Sequence, residues 1–433
     1  MKKEKVIVVG AGIAGISASY FEALKDNDVQ LIETDSTPGG LLKSDFNGKT
    51  YFDYGTHIFP EVQVDEIDDF LFGDLNDGDY LKTKLISAGN FYNNKLNQKS
   101  CYVNIAELSD ELYKNSCLEL LASDDSKREN LADFFVHRYG STIYRNIFKD
   151  VIIKYMGKDP ALLDYSIGYF FDMSRVLAFD QNVVDNLNQL GTYNKILGHH
   201  ERAEGVMKYY PKTGGIGALT HHLIEKIRNV GVHLSTGTII KEIEISNKNI
   251  TKVITNNGEY ECDRVIWSVP LIFLANLAKI QRNSIRPIFR KTTLYDFSFI
   301  KPLKTDCCYI NVYEPTMRSG RITVYQNLET KDESGFSCSV EVLSEEVPTD
   351  AEILDELIEM NLIDDRATCC FKQIREVKNG FPVLTTGYVK SAKENNQHYR
   401  DKFENVIFIG KASEDAFFMT DVLKDAYTKI ISL

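Results

Sequence analysis

Apolar residues near the start of the chain fall into two short runs, Val6-Ile7-Val8-Val9 and a second ending at Leu31-Ile32-Glu33, with a stretch of helical spacing between them. Short, fully apolar runs read as buried strands, so residues 1–33 predict a β–α–β unit with its helix over about 12–25. That pattern stops after Phe59. From there to about residue 204, acidic stretches at 65–79 and 123–129 alternate with helical segments rich in Phe, Tyr and Leu. Leu131, Phe134, Phe135, Ile143, Ile147 and Phe148 lie on one stripe, which predicts a helical core face over 131–155.

Strand-type runs return after Tyr210-Pro211-Lys212-Thr213-Gly214-Gly215. A helix to about 230 precedes strands at 232–235 and 239–245. Further short strands at 253–255, 258–262 and 265–270 flank an Asn256-Asn257-Gly258 turn. Residues 271–397 mix β and α patterns, with alternation at 309–313 and 322–325, and predict completion of a second domain's sheet. Residues 405–410 then read as a buried strand, and 421–431 as a helix with an acidic first turn. The predicted class is α/β: a discontinuous Rossmann-type dinucleotide-binding domain (1–60, 205–270 and 398–433) interleaved with an α+β substrate domain (61–204 and 271–397).

The residues between the first strand and helix give this scaffold a chemistry. Gly10, Gly12 and Gly15 have the GxGxxG spacing, in which the first glycine permits a tight turn, the second admits a pyrophosphate and the third lets helix and strand pack closely. The helix N-terminus then faces the phosphates with its amides and dipole. Glu33, at the end of the next strand, is the acceptor expected for a ribose hydroxyl, and no arginine follows it to favour a phosphorylated ribose. With Pro38-Gly39-Gly40 just beyond, the unit reads as an FAD site, the flavin being held noncovalently because no cysteine lies near residues 410–421.

Composition narrows the remaining classes. The 433 residues are 43% hydrophobic and 26% charged, enough for two or three domains, and no apolar run is long enough to span a bilayer. A formal net charge of −12 argues against nucleic acid as a partner. Eight cysteines without CxxC spacing predict a reduced, cytoplasmic protein with no metal site, in which Cys307-Cys308 and Cys369-Cys370 serve in strands or core.

Several motifs together resemble the FAD-dependent amine oxidase and protoporphyrinogen oxidase superfamily, especially its UDP-galactopyranose mutase-like branch. They are the fingerprint continuing through Gly39-Gly40 to Phe52-Asp53-Tyr54-Gly55-Thr56-His57, the helical region 135–163, the pairing of 211–215 with Ile240 and Ile243, and Gly410-Lys411 leading to Phe417, Phe418 and Asp421. The resemblance implies cofactor contacts at Gly10, Gly12, Ala14, Gly15, Glu33, Gly39, Gly40, Leu41, Gly55, Thr56, His57, Ile240, Gly410, Asp421 and Val422. It also implies catalytic roles for His57, Arg321 and Lys411, and substrate contacts at Arg175, Arg321, Tyr388 and Phe417. The chain departs from the branch at Lys411, where arginine is usual, at Phe417, where tyrosine is usual, and at Met156, where tryptophan is usual. Those changes remove a planar fork, a hydroxyl and a stacking surface.

The expected activity is hydride transfer from a small-molecule substrate to flavin N5. The mutase resemblance implies an alternative without net redox on a nucleotide sugar, and a noncatalytic FAD-binding protein is a third reading.

Overall fold

A computed structural model describes residues 3–76, 78–124, 128–201, 204–280, 285–329, 335–413, 416 and 418–432. Its parallel sheet has five strands, in the order His233–Ser235, Asp28–Ile32, Lys5–Val9, Arg264–Trp267, Val406–Phe408. Every neighbouring pair is parallel. Val6, Ile7, Val8 and Val9 are all buried, because helices and a second small sheet cover both faces. The strand order reverses at Lys5–Val9, and in such sheets the crevice beyond the carboxyl ends at that reversal is where ligands bind. Gly10 and the helix Ile13–Ala23 follow that strand directly.

The segments 240–246, 249–255 and 259–261 form a three-stranded antiparallel layer, with residues 256–258 turning between the last two strands. The last helix runs over Met419–Ile431, two residues earlier at its start than the acidic turn suggests. The stripe at 131–155 is a broken helix. Helices Leu131–Tyr139 and Lys149–Met156 are joined through Gly140, at φ 91°, and a π-helical stretch Tyr144–Phe148. A Cβ at Gly140 would lie 2.2 Å from the Glu119 carboxylate, so the chain turns there to let that side chain accept the Thr142 N–H. All six stripe residues are still buried in one cluster. Apolar spacing identified the face, while the break comes from a glycine contact with a distant helix.

A larger sheet of seven strands carries the order Cys369–Val383, Ile288–Phe299, Phe336–Leu343, Ser319–Val324, Tyr309–Val312, Ala88–Tyr92, Lys95–Asn97. Side chains alternate faces along each strand. Phe297, Ile310, Val312, Ile322, Val324, Val340 and Val342 pack on one face against Ile353 and Leu357 of helix Asp350–Glu359. The same alternation sends Asn311, Arg321, Thr323, Ser339, Glu341, Asp296 and Arg375 to the opposite face. This polar face meets the segment 52–57, as the Thr56–Thr323 hydroxyl pair and the Tyr325 hydroxyl beneath the Asp53 N–H record.

Candidate functional site

The fingerprint glycines sit in three different environments. Gly10 has φ 96°, and a Cβ there would come within 2.6 Å of Ser268 and Val269. Gly15 is tighter still, its Cβ position lying 1.8 Å from the Gly10 carbonyl oxygen. Gly12, by contrast, would meet nothing within 4 Å. Gly10 and Gly15 are required by the protein's own packing, and Gly12 keeps an open space at the start of the helix. Gly12 offers that helix no side-chain cap, so first-turn amides are left toward the same space.

Later segments close around this loop. The Gly39 N–H donates to the Ala11 oxygen at 2.7 Å, and a Cβ on Gly40 would lie 3.5 Å from the Gly12 Cα. Gly410, with φ 57°, lies against Ala14, whose Cβ is 2.8 Å from where one on Gly410 would stand. Glu33 accepts from the Ala11 and Asp35 amides at 2.7 and 2.9 Å. Its oxygens keep lone pairs for a further donor. Leu41 and Asp421 are exposed, whereas Val422 and Ile240 are half-buried. Asp421 is in the first turn of the last helix.

The second part of the site faces the polar side of the large sheet. His57 Nε2 and Arg321 Nη2 lie 3.7 and 3.9 Å from the Cβ position of Gly55, a buried glycine with φ 110°. The His57 Nε2 is 3.3 Å from the Tyr54 carbonyl oxygen, so a proton on that nitrogen leaves Nδ1 as an acceptor. Burial, reinforced by the neighbouring Arg321 charge, lowers the His57 pKa to about 4, and the ring is neutral near pH 7. Arg321 donates through Nε and Nη2 to one Glu341 oxygen at 3.2 and 2.9 Å. Its guanidinium carbon lies 5.2 Å from the centre of the Phe171 ring.

The remaining expected residues are more dispersed. Arg175 donates to the Leu197 oxygen at 2.8 Å. Tyr388 is half-buried in the first turn of helix Thr386–Lys402, and Lys411 is exposed in the turn Gly410–Ala412. Phe417 lies outside the described residues, while Phe418 packs edge-on against Phe170 at 5.8 Å.

Two buried networks that spacing does not reveal hold these parts together. The Asp53 carboxylate accepts from Ser44 at 2.6 Å, Tyr210 at 2.8 Å and the Ile216 N–H at 3.0 Å. Burial raises its pKa to about 6 despite those donors. Arg375 in turn donates to the Asp53 carbonyl at 2.9 Å, to Asp296 at 2.5 and 3.1 Å, and to Asp45 at 3.1 Å. Both networks hold the start of the 53–57 segment at Asp53, and the Thr56–Thr323 hydroxyl pair holds it next to His57. Breaking a buried pair leaves an uncompensated charge, so Arg375→Met is expected to cost roughly 3–5 kcal/mol in urea unfolding. A loss below ~1 kcal/mol would contradict that role.

Comparison with known proteins agrees with this architecture. The family described as NAD(P)-binding Rossmann-like domain matches residues 8–71. A 1-hydroxycarotenoid 3,4-desaturase from Flavobacterium sp. (strain P99-3) is 27% identical over 285 residues, covering 61% of this chain. The match spans 56% of that relative's length. A reduced UDP-galactopyranose mutase superposes with a TM-score of 0.76 at 16% identity, over 99% of this chain and 93% of its own. A protein described as a protoporphyrinogen oxidase from Exiguobacterium sp. 255-15 superposes with a TM-score of 0.70 at 15% identity, over 100% and 99% of the two chains.

Proposed function

We propose that this chain is a member of the FAD-dependent amine oxidase superfamily, an FAD-dependent oxidoreductase acting on a small molecule. The observation that carries this reading is the open space at Gly12, flanked by Gly40 and by the Gly410–Ala14 contact, at the carboxyl end of the parallel sheet. A pyrophosphate needs that combination of bare backbone and uncapped helix amides. Glu33 would hold the ribose, the backbone near Ile240 the adenine, and the first turn of helix Met419–Ile431, with Asp421 and Val422, the flavin end.

When bound, the flavin would supply a two-electron acceptor for a substrate C–H bond. The chain's own residues supply position and polarity. Gly55 lets the His57 ring and the Arg321 guanidinium come together over its backbone, His57 presents a neutral ring, and Arg321 stands above Phe171 with its charge partly offset by Glu341. Lys411, Arg175, Tyr388 and Phe417 are the outer candidates for substrate contact.

The fold shared with the mutase supports a second reading, isomerisation of a nucleotide sugar without net redox. Product analysis separates the two. Incubation of the holoprotein with UDP-galactopyranose and dithionite is expected to leave the sugar unchanged. Isomerised sugar formed without stoichiometric electron transfer would contradict the oxidoreductase assignment.

At His57 the expected behaviour is pH-dependent. Its folded-state pKa lies below that of an unfolded histidine, so it favours the fold above pH ~6.5 and withdraws that contribution as pH falls toward 4. His57→Gln is expected to flatten the fall in urea stability over this window. An unchanged slope would remove His57 from the titrating groups.

A further inference from the structure

The carbonyl oxygens of Val9 and Gly10 converge on one buried hydroxyl. Ser268 Oγ stands 2.6 Å from the first and 3.2 Å from the second, so its single proton is shared between them. Successive carbonyls of an extended strand point to opposite sides, and the φ of 96° at Gly10 is what turns these two together. The Val9 oxygen also accepts the Ser268 N–H at 3.1 Å, whereas the Gly10 oxygen accepts from this hydroxyl alone among the described residues.

The same peptide is gripped at its other end. The Ala11 N–H, which shares a peptide plane with the Gly10 carbonyl, donates to Glu33 Oε2 at 2.7 Å. On either side of that peptide, the Gly10 N–H donates to the Ile32 oxygen at 2.8 Å and the Ala11 oxygen accepts from the Gly39 N–H at 2.7 Å. With glycine at both 10 and 12 the turn has little conformational preference of its own, so these outside groups select one conformation. Ser268 acts from the end of the neighbouring strand Arg264–Trp267, and its carbonyl oxygen lies 3.4 Å from the Cβ position of Gly410. It therefore stands between the fingerprint turn and the closing segment.

We propose that Ser268 is a positioning residue for the cofactor. Its hydroxyl holds the Gly10–Ala11 peptide so that Glu33 stays placed for the ribose and the Gly12 backbone stays clear for the pyrophosphate. This rests on reading the Gly12 space as a dinucleotide site. A turn held ready before binding spares the cost of ordering it at binding, so losing the hydroxyl weakens the hold on the adenosine diphosphate half as much as the hold on whole FAD.

The test compares Ser268→Ala with Ser19→Ala in the full holoprotein. Ser19 is a matched control, since its buried hydroxyl donates to the Gly15 carbonyl at 2.7 Å, on the same helix, without touching the turn. Serial dilution with released flavin read by fluorescence gives the FAD affinity, displacement by added ADP gives the affinity for the adenosine diphosphate half, and thermal melting reports the fold. Ser268→Ala is expected to weaken both affinities by about tenfold. Ser19→Ala is expected to melt lower by a similar amount yet keep both affinities within about twofold of wild type. Unchanged affinities in Ser268→Ala, a loss confined to FAD, or an equal loss in both variants would overturn the proposal. Wild type that binds neither FAD nor ADP would instead overturn the dinucleotide site itself, and the role of Ser268 with it.

Discussion

Replacing Gly12 by leucine is expected to give a folded protein that no longer retains flavin. The backbone there, at φ −78° and ψ 177°, suits any residue, and a new Cβ would meet nothing within 4 Å. Nothing in the protein resists the side chain, but it would fill the space where the pyrophosphate must touch bare backbone. A loss of about a hundredfold or more in FAD affinity, roughly 3 kcal/mol, follows from excluding that contact. Gly15→Leu provides the contrast. Its Cβ would fall 1.8 Å from the Gly10 carbonyl oxygen, so helix and strand would have to separate, and both flavin and cooperative unfolding are expected to be lost. Thermal melting and visible absorbance of the two variants check the pair together. Equal destabilisation by both would mean that the glycines serve only the fold.

The second large effect is expected at Asp53. Asp53→Ala would leave the Ser44 hydroxyl, the Tyr210 hydroxyl and the Ile216 N–H without their buried acceptor. Each orphaned group costs about 1–3 kcal/mol, so a loss of roughly 3–5 kcal/mol is expected after partial relaxation. Asp53→Asn keeps an acceptor oxygen and discards the charge, so it should be far milder. The pH dependence separates them further. Burial holds the folded-state pKa at about 6, above that of an unfolded aspartate, so protonated Asp53 favours the fold fully below pH ~4 and withdraws its contribution as pH rises through about 6. The withdrawn contribution is of the order of 3 kcal/mol. In urea titrations the asparagine variant should lose less stability than wild type between pH ~4 and ~7. An identical pH profile would show that Asp53 does not titrate in this window.

These two predictions mark where the sequence was legible. The dinucleotide fingerprint is local: Gly10, Gly12, Gly15 and Glu33 are read from spacing because one turn and one helix start place all of them. The strand positions, the turn at 256–258 and the final helix follow similarly from apolar runs and turn residues, whereas the order of the strands in the sheet does not. Asp53 stands out in the sequence only as part of a motif, since its partners Tyr210 and Ile216 stand 157 and 163 residues away. Asp296 and Arg375 are 79 residues apart; Asp296 stands between the buried Tyr295 and Phe297, whereas Arg375 follows the exposed Ile374. A charge on such a strand is the available signal for a polar sheet face, although its partner cannot be read from it. Glu341, which answers Arg321, was hidden for the same reason. Helical spacing at 131–155 correctly chose the buried face, but Gly140 and its contact with Glu119 decided where the helix breaks.

The site is thus two halves with different origins. Close packing at Gly10 and Gly15 leaves an open space at Gly12, at the switch point of the parallel sheet, and the polar face of the large sheet presents His57, Arg321 and Glu341 around Gly55. Asp53 and Arg375 join the halves. Anaerobic photoreduction of the purified protein, followed by admission of air, tests the claim that they make one flavin redox site. The visible absorbance of bound FAD should bleach on reduction and return on reoxidation. Protein that carries no flavin and takes up none when FAD is added, or whose bound flavin cannot be reduced, would contradict it.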